Sequence, residues 1–122
     1  MALDSPLPRL VSQTDDIFRG QMPLPPELFL EGEPVSDIWA PEFNPAGKLV
    51  NLGIWLGQPG AISVHGYPVD EFFTVLEGHL RLENEDGSAI EVKPGDAAIV
   101  PQGWKGVWHT LKVTRKTFAS FA

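Results

Sequence analysis

The chain has 122 residues, a formal net charge of -7 and a pI near 4.8, so it is long enough for one domain and disfavours nucleic acid and anionic membranes as partners. It contains no cysteine, which excludes disulfides and sulfur ligands for a metal and suits a reducing cytoplasm. Neither a signal peptide nor a run of the ~20 apolar residues of a membrane helix is recognisable, and the sequence therefore predicts a soluble cytoplasmic protein.

Residues 1–35 differ from the rest of the chain because prolines interrupt them at short intervals. Large apolar side chains lie between these prolines, at Leu24, Leu28, Phe29 and Leu30. The stretch therefore predicts an extended N-terminal arm that packs on the barrel or on a partner subunit. An acidic single domain with such an arm favours a homodimer, in which the arm covers an open sheet edge of its twofold mate.

Residues 36–122 form the second predicted unit, a barrel domain, because short apolar runs alternate there with glycine and proline. The predicted strands have lengths typical of a barrel or sandwich and read, in order, LVNLGIWL, AISVH, EFFTVL, HLRLEN, AIEV, AAIV, GVWHTLKV and RKTFASF. Turns are expected at Gln58–Gly60, at Asp86–Gly87 and at Pro94–Asp96. The best helix candidate is a short turn near Thr14 to Arg19, so the sequence predicts an all-β fold.

Glu71 is the most informative residue, because it opens the run EFFTVLEG on a strand whose alternation points its carboxylate inward. A buried carboxylate is strongly destabilising unless a metal, a cation or a ligand pairs with it. Two interpretations stay open. Either Glu71 serves a ligand site, or it is a structural carboxylate that pairs with Arg115 or Lys116 at the barrel mouth.

The motif around Glu71 resembles the first motif of the cupin superfamily, and the resemblance covers about residues 45–121. That motif has two histidines one residue apart, a glutamate three or four residues later, and a glycine after six more residues. The corresponding positions here hold His65, Tyr67, Glu71 and Gly78. The resemblance implies a double-stranded β-helix, also called a jelly-roll barrel.

The second cupin motif runs from a glycine through a proline and another glycine to a histidine. This chain follows it through Gly95, Pro101 and Gly103, with Gly106 at the histidine position. The sequence departs from the usual motifs in EFF before the LEG turn, in PQGWKGVW of the second motif and in the RK pair that opens the last strand. In these residues it is similar to small cupins of RmlC-like fold related to ureidoglycine aminohydrolase. That similarity implies nitrogen metabolism. The similarity does not imply the same reaction for this chain, because such enzymes usually have two barrels and a fuller set of metal ligands.

Of the four positions that usually bind the metal, two hold a metal-binding residue type here, namely His65 and Glu71. The resemblance therefore implies an incomplete site for Mn, Fe, Ni or Zn, with weak occupancy or none. His109 does not restore the set, because strand alternation turns it outward if Gly106 faces inward. Trp108 then faces inward, and only a bulge would reverse this parity.

The expected pocket combines polar groups on its floor with an aromatic lining. Its catalytic candidates are Glu71 and His65, and its ligand-contact candidates are Tyr67, Phe73, Trp108, Trp55 and Trp104, although core packing is the favoured interpretation for Trp55 and Trp104.

Three functions stay open. In the first, His65 and Glu71 hold a metal that polarises a small polar metabolite. In the second, a metal-free hydrolase, isomerase or lyase uses Glu71 as general acid or base, with His65 beside it. In the third, the protein binds a metabolite or assembles with itself without catalysis. All three predict a small-molecule pocket, and they differ in whether Glu71 is needed for chemistry.

Overall fold

A computed structural model describes residues 7–12, 18–21 and 24–122, with the backbone alone for 18–21. Its elements in chain order are β1 Phe18–Gln21, a 3-10 helix Pro26–Leu28, β2 Phe29–Gly32, β3 Ser36–Trp39, β4 Leu49–Gly57, β5 Gly60–His65, β6 Asp70–Asn84, β7 Ala89–Val92, β8 Ala97–Val100 and β9 Lys105–Phe121. The predicted all-β class is confirmed. Within these residues, no helix has the length and apolar character needed to cross a membrane.

The helix candidate near Thr14 falls mostly on residues 13–17, which lie outside the described residues. The last two residues of that candidate, Phe18 and Arg19, belong to strand β1. Strand β2 pairs with β5 of the same chain, and β1 pairs with β3. Strands β1 and β2 of the predicted arm therefore extend the sheet of its own barrel, and packing on a partner subunit stays a prediction.

The two longest strands, β6 and β9, pair antiparallel along most of their length and organise the barrel. The first half of β6 and the second half of β9 belong to one side, where β8 lies beside β6 and β4, β3 and β1 follow β9. On the other side, β7 lies beside β6, and β5 and β2 follow β9. One curled antiparallel sheet thus forms both walls, which confirms the jelly-roll barrel.

The core lies between these two walls. It consists of buried apolar residues from β6, β7, β8 and β9, namely Phe73, Val75, Leu80, Leu82, Val92, Ala98, Val100 and Trp108. The predicted turns are also present. Gly87 lies at the tip of the β6–β7 hairpin, and the Asp96 carboxylate accepts a hydrogen bond from the Lys93 backbone before β8. Short-range turn chemistry therefore fixes where the strands of each wall reverse.

The predicted break at Gly78 between the strands EFFTVL and HLRLEN is wrong, because β6 continues through it. The predicted break between GVWHTLKV and RKTFASF is also wrong, because both belong to β9. The pairing register between β6 and β9 shifts repeatedly between Val75 and Leu80. Gly78 has a φ of +98°, and a Cβ on it would lie 2.3 Å from Thr114 Oγ1 and 2.5 Å from the Val113 carbonyl oxygen. The glycine therefore lets β6 bulge and bend closely against β9, so that one strand can serve both walls.

Replacing Gly78 with alanine is expected to lower the free energy of unfolding by about 3 kcal/mol, since a positive φ and a backbone clash both oppose the new Cβ. Gly87→Ala is the matched control. Gly87 has a φ of +90° but no heavy atom within 4 Å of the added Cβ, so its loss should stay near ~1 kcal/mol. Urea denaturation of both variants measures the difference, and equal losses would contradict the close approach at Gly78.

Candidate functional site

A cavity of about 380 Å³ lies inside the barrel. Its lining is mostly apolar and aromatic, with Trp55, Ile62, Trp108 and Phe118 among the contributing residues. Val50, at the start of β4, lines it and is 55% exposed, and the lining residues Gly66 and Pro68 before β6 are exposed as well, which places the solvent end of the cavity near these residues. A concave, largely apolar space with few polar groups is typical of a small-molecule site.

Strand alternation explains how polar side chains reach this cavity. Along the start of β6, Glu71, Phe73 and Val75 are buried while Asp70 and Phe72 are exposed. Glu71 is 7% exposed and lines the cavity, so its predicted inward orientation is confirmed.

The Glu71 carboxylate accepts two short hydrogen bonds. Lys116 Nζ donates to Oε2 at 2.6 Å, and the Tyr67 hydroxyl donates to Oε1 at 2.6 Å. The side chains of Lys116 and Glu71 are 4% and 8% exposed, so this ion pair is buried. Of the two cations expected as partners, Arg115 instead pairs with Glu77 at the surface. The pairing interpretation of Glu71 is therefore confirmed for Lys116, at a position inside the barrel rather than at its mouth.

Three aromatic rings surround the Lys116 ammonium. Its Nζ lies 4.2 Å from the ring centroid of Phe73, 4.4 Å from that of Trp108 and 4.8 Å from that of Trp55. Aromatic faces attract a cation, most strongly where water is excluded. Burial nevertheless lowers the pKa of the Lys116 ammonium, and the Glu71 charge opposes that shift. Burial thus weakens the preference of this amine for its charged form, and Glu71 partly restores it.

Tyr67 is the only tyrosine of the chain, and its ring stacks on Trp108 at a centroid distance of 6.0 Å. Burial raises the pKa of its phenol well above the ordinary value of 10.0, and the adjacent charge of Glu71 and the hydrogen bond to it act in the same direction. The phenol therefore stays protonated and acts as a hydrogen-bond donor.

Absorbance of the tyrosinate form should test this directly, because a single residue gives the whole signal. The folded protein is expected to show no tyrosinate at about pH 11, where the denatured chain is mostly ionised. Since the folded state keeps a proton that the unfolded state loses, the contribution of Tyr67 to stability is complete below pH 10 and falls as pH rises further. Titration of the folded protein near pH 10 would contradict the buried phenol.

His65 is not among the residues that line the cavity, so the structure does not place it beside Glu71 in the pocket as predicted. It is exposed at the end of β5 and pairs in register with Lys105, while its Nε2 lies 3.2 Å from Ser63 Oγ. Ile62 and Val64 of β5 instead pack against the core and line the cavity, and Ser63 also contributes to the lining. Side-chain alternation does not continue from His65 to Glu71, because the chain leaves β5 after His65 and begins β6 only at Asp70.

The other predicted contact residues divide between the cavity and its surroundings. Trp55, Tyr67 and Trp108 line the cavity, whereas Phe73 lies in the core. Trp104 packs edge-on against Tyr67, and its indole N–H donates to Asn84 Oδ1 at 2.8 Å. His109 faces away from the cavity toward Glu83, at 2.9 Å, as strand parity predicted.

Gly106, at the position of the second-motif histidine, has no room for a side chain. A Cβ there would lie 2.1 Å from the Glu83 carbonyl oxygen and 2.7 Å from Trp104 Cζ2. The Trp104 indole and the β6 backbone therefore occupy the space beside this position.

The residues at the cavity do not fit a divalent metal. His65 lies outside it, both Glu71 oxygens already accept hydrogen bonds, and the neighbouring Lys116 ammonium would repel a cation. Across the described ranges, no three His, Asp or Glu side chains come together in a metal-holding group. The predicted metal pair His65 and Glu71 is thus replaced by the ion pair of Glu71 and Lys116.

Lys116 is the site residue that motif matching missed, since it lies outside both cupin motifs. A signal was present in the sequence. The parity that turns Trp108 inward also turns inward the even-numbered residues of β9 near its end, and Lys116 is one of them.

Comparison with known proteins agrees with this fold. The model of the EutQ-like cupin domain family matches residues 46–118, and no curated protein matches the chain. A structure from Pseudomonas syringae pv. tomato, a protein of unknown function from the DUF861 family, is similar with a TM-score of 0.76 and 25% identity, covering 85% of this chain and 44% of that one. This chain therefore spans less than half the length of that protein.

Two further structures extend the comparison. The Clostridium difficile EutQ protein has a TM-score of 0.61 at 16% identity, over 73% of this chain and 64% of its own, and this likeness shows the fold alone. A DUF861 family protein from Thermotoga maritima has a TM-score of 0.53 at 27% identity, over 57% of this chain and 78% of its own. Because the family match covers more than half of its residues, the chain belongs to the EutQ-like cupin domain family.

Proposed function

We propose that the barrel binds a small, uncharged and largely apolar molecule that carries one hydrogen-bonding group. The observation that carries this proposal is the buried ion pair of Glu71 and Lys116 on the wall of a mostly apolar cavity. A volume of about 380 Å³ suits a metabolite of modest size.

The ion pair selects against charged ligands. Glu71 and Lys116 neutralise each other, so a bound anion would face the carboxylate, and a bound cation would face the ammonium. Either ion would lose its hydration without gaining an unpaired counter-charge. A neutral acceptor such as a carbonyl oxygen has a favourable place, because the ammonium has three N–H donors and Glu71 accepts one of them.

The enzymatic form of this proposal is metal-free acid–base chemistry, in which Glu71 exchanges a proton with its neighbour. Lys116, at 2.6 Å, is that neighbour, and His65 is not. A hydrolase, isomerase or lyase reaction and simple metabolite binding both use the same pocket. A closer relation to ureidoglycine aminohydrolase, a homodimeric state and a cytoplasmic location stay predictions from the sequence.

Benzamide, benzoate and benzylammonium test the charge preference, because they share one ring and differ in charge. We expect benzamide to shift the indole NMR signals of Trp55 and Trp108, and both ions to bind at least about tenfold more weakly. Tighter binding of either ion would contradict the proposal.

Two tryptophan substitutions locate the binding. Val50 lines the solvent end of the cavity, whereas Val113 lies outside its lining, and the two valines are 55% and 50% exposed. Val50→Trp should weaken benzamide binding about tenfold or more by obstructing entry, and Val113→Trp should leave it unchanged. Equal effects would place the ligand elsewhere.

A further inference from the structure

Lys116 differs from every other lysine of the chain in its surroundings. Lys48, Lys93, Lys105 and Lys112 are exposed, whereas Lys116 is 3% exposed and lines the cavity. An amine in such a place can meet a bound molecule within the cavity. An ion pair needed for stability alone would not have to lie on a cavity wall.

We propose that Lys116 forms a reversible imine with a small aldehyde or ketone bound in the cavity. This inference rests on the proposed function and narrows its ligand class, since an uncharged carbonyl compound is one of the molecules that the ion pair admits.

The geometry supplies the groups that imine formation needs. An amine adds to a carbonyl carbon in its neutral form, and desolvation among apolar side chains is an established way to activate a lysine. Burial lowers the pKa of Lys116 in this sense. Glu71 Oε2, 2.6 Å away, can accept the ammonium proton directly. The protonated Tyr67 hydroxyl holds the other carboxylate oxygen in place.

Lys116, Glu71 and the carbonyl compound together supply and accept every proton that imine formation requires. Lys116 passes a proton to Glu71, and the neutral amine forms a C–N bond as the carbonyl electron pair moves to oxygen. Glu71 returns that proton to the oxygen and takes a second one from the nitrogen. It then protonates the hydroxyl, which leaves as water while the nitrogen lone pair forms the C=N bond. The products are a protonated imine, one water molecule and the Glu71 carboxylate.

The site favours this product because the charges do not change. The protonated imine carries the single positive charge that the ammonium carried, so Glu71 remains its counter-ion. The same three aromatic rings remain around the nitrogen. The apolar lining also disfavours water, which would reverse the reaction.

Reductive trapping tests the inference on the whole protein. Benzaldehyde and cyanoborohydride at about pH 7 convert an imine into a stable benzylamine, and peptide mass spectrometry locates the added benzyl group. Because binding beside the amine makes the addition effectively unimolecular, Lys116 should be labelled at least about tenfold faster than Lys112. Lys116→Arg should abolish the fast label, and Lys112→Arg should retain it. The wild-type comparison stands even if a variant does not fold.

Benzyl alcohol separates this inference from the proposed function, because it has the same ring but no carbonyl group. If benzyl alcohol shifts the indole signals of Trp55 and Trp108 while benzaldehyde labels Lys116 no faster than Lys112, the imine is overturned and the binding function stands. If benzyl alcohol and benzamide both leave these signals unchanged, the proposed function itself fails.

Discussion

Glu71→Gln is expected to lower the free energy of unfolding by about 3 to 5 kcal/mol, because it leaves the buried Lys116 ammonium without its counter-charge. The glutamine amide is similar in size to the carboxylate, so the loss comes from charge rather than from packing. Chemical denaturation at neutral pH measures it. Glu77→Gln is the matched control. Glu77 also pairs with a cation of β9, but its side chain is 60% exposed, and its loss should stay below ~1 kcal/mol.

A double substitution separates pairing from any other role of Glu71. Replacing Glu71 with leucine and Lys116 with methionine removes both charges and keeps apolar volume. Since exchange of a buried ion pair for apolar residues is often neutral, most of the stability should return. If the double variant were as unstable as Glu71→Gln, an unpaired ammonium could not be the cause. Recovered stability with lost benzamide binding would show that the ion pair serves ligand recognition.

Gly106→His, which restores the histidine of the second cupin motif, is expected to destabilise the protein by about 3 kcal/mol and to create no metal site. The added Cβ would collide with a backbone oxygen of Glu83, which cannot move as a flexible side chain would. The other usual ligands are also missing, since His65 lies outside the cavity and the Glu71 carboxylate is paired with Lys116.

Denaturation and metal analysis by mass spectrometry measure both parts of this result. Lys105→His is the control, because it puts the same side chain on an exposed neighbouring position of β9 and should change stability by less than ~0.5 kcal/mol. A stable Gly106→His protein that retained zinc or manganese would show that the site keeps the metal geometry of its superfamily.

From residue 48 onward the sequence predicted most strands and turns of the barrel, because alternation and turn chemistry are short-range properties. It did not predict β1, β2 and β3, which precede that point. It failed at Gly78, where it predicted a strand end. The glycine there is needed for the close approach of Thr114, which is far away in the chain. A contact between distant segments leaves little trace in a local pattern, and a bulge and a turn both call for glycine.

The orientation of site residues was predicted correctly within a single strand and incorrectly across a loop. Glu71 and Trp108 face inward as alternation predicts. His65 does not, because the loop between β5 and β6 does not keep the alternation that the family resemblance implies. Lys116 was expected only as a structural partner of Glu71. Alternation along β9 indicates its inward orientation, whereas the cavity that it lines depends on packing between distant segments.

The contribution of Leu24 and Leu28 to the cavity lining has a consequence for specificity. Both lie before residue 46, where the match to the family begins. Part of the surface that a ligand meets is therefore encoded outside the shared domain. A chain with this barrel and a different leading segment would present a different wall to the ion pair of Glu71 and Lys116. Exchange of that segment between relatives would change ligand choice without altering the chemistry of the site.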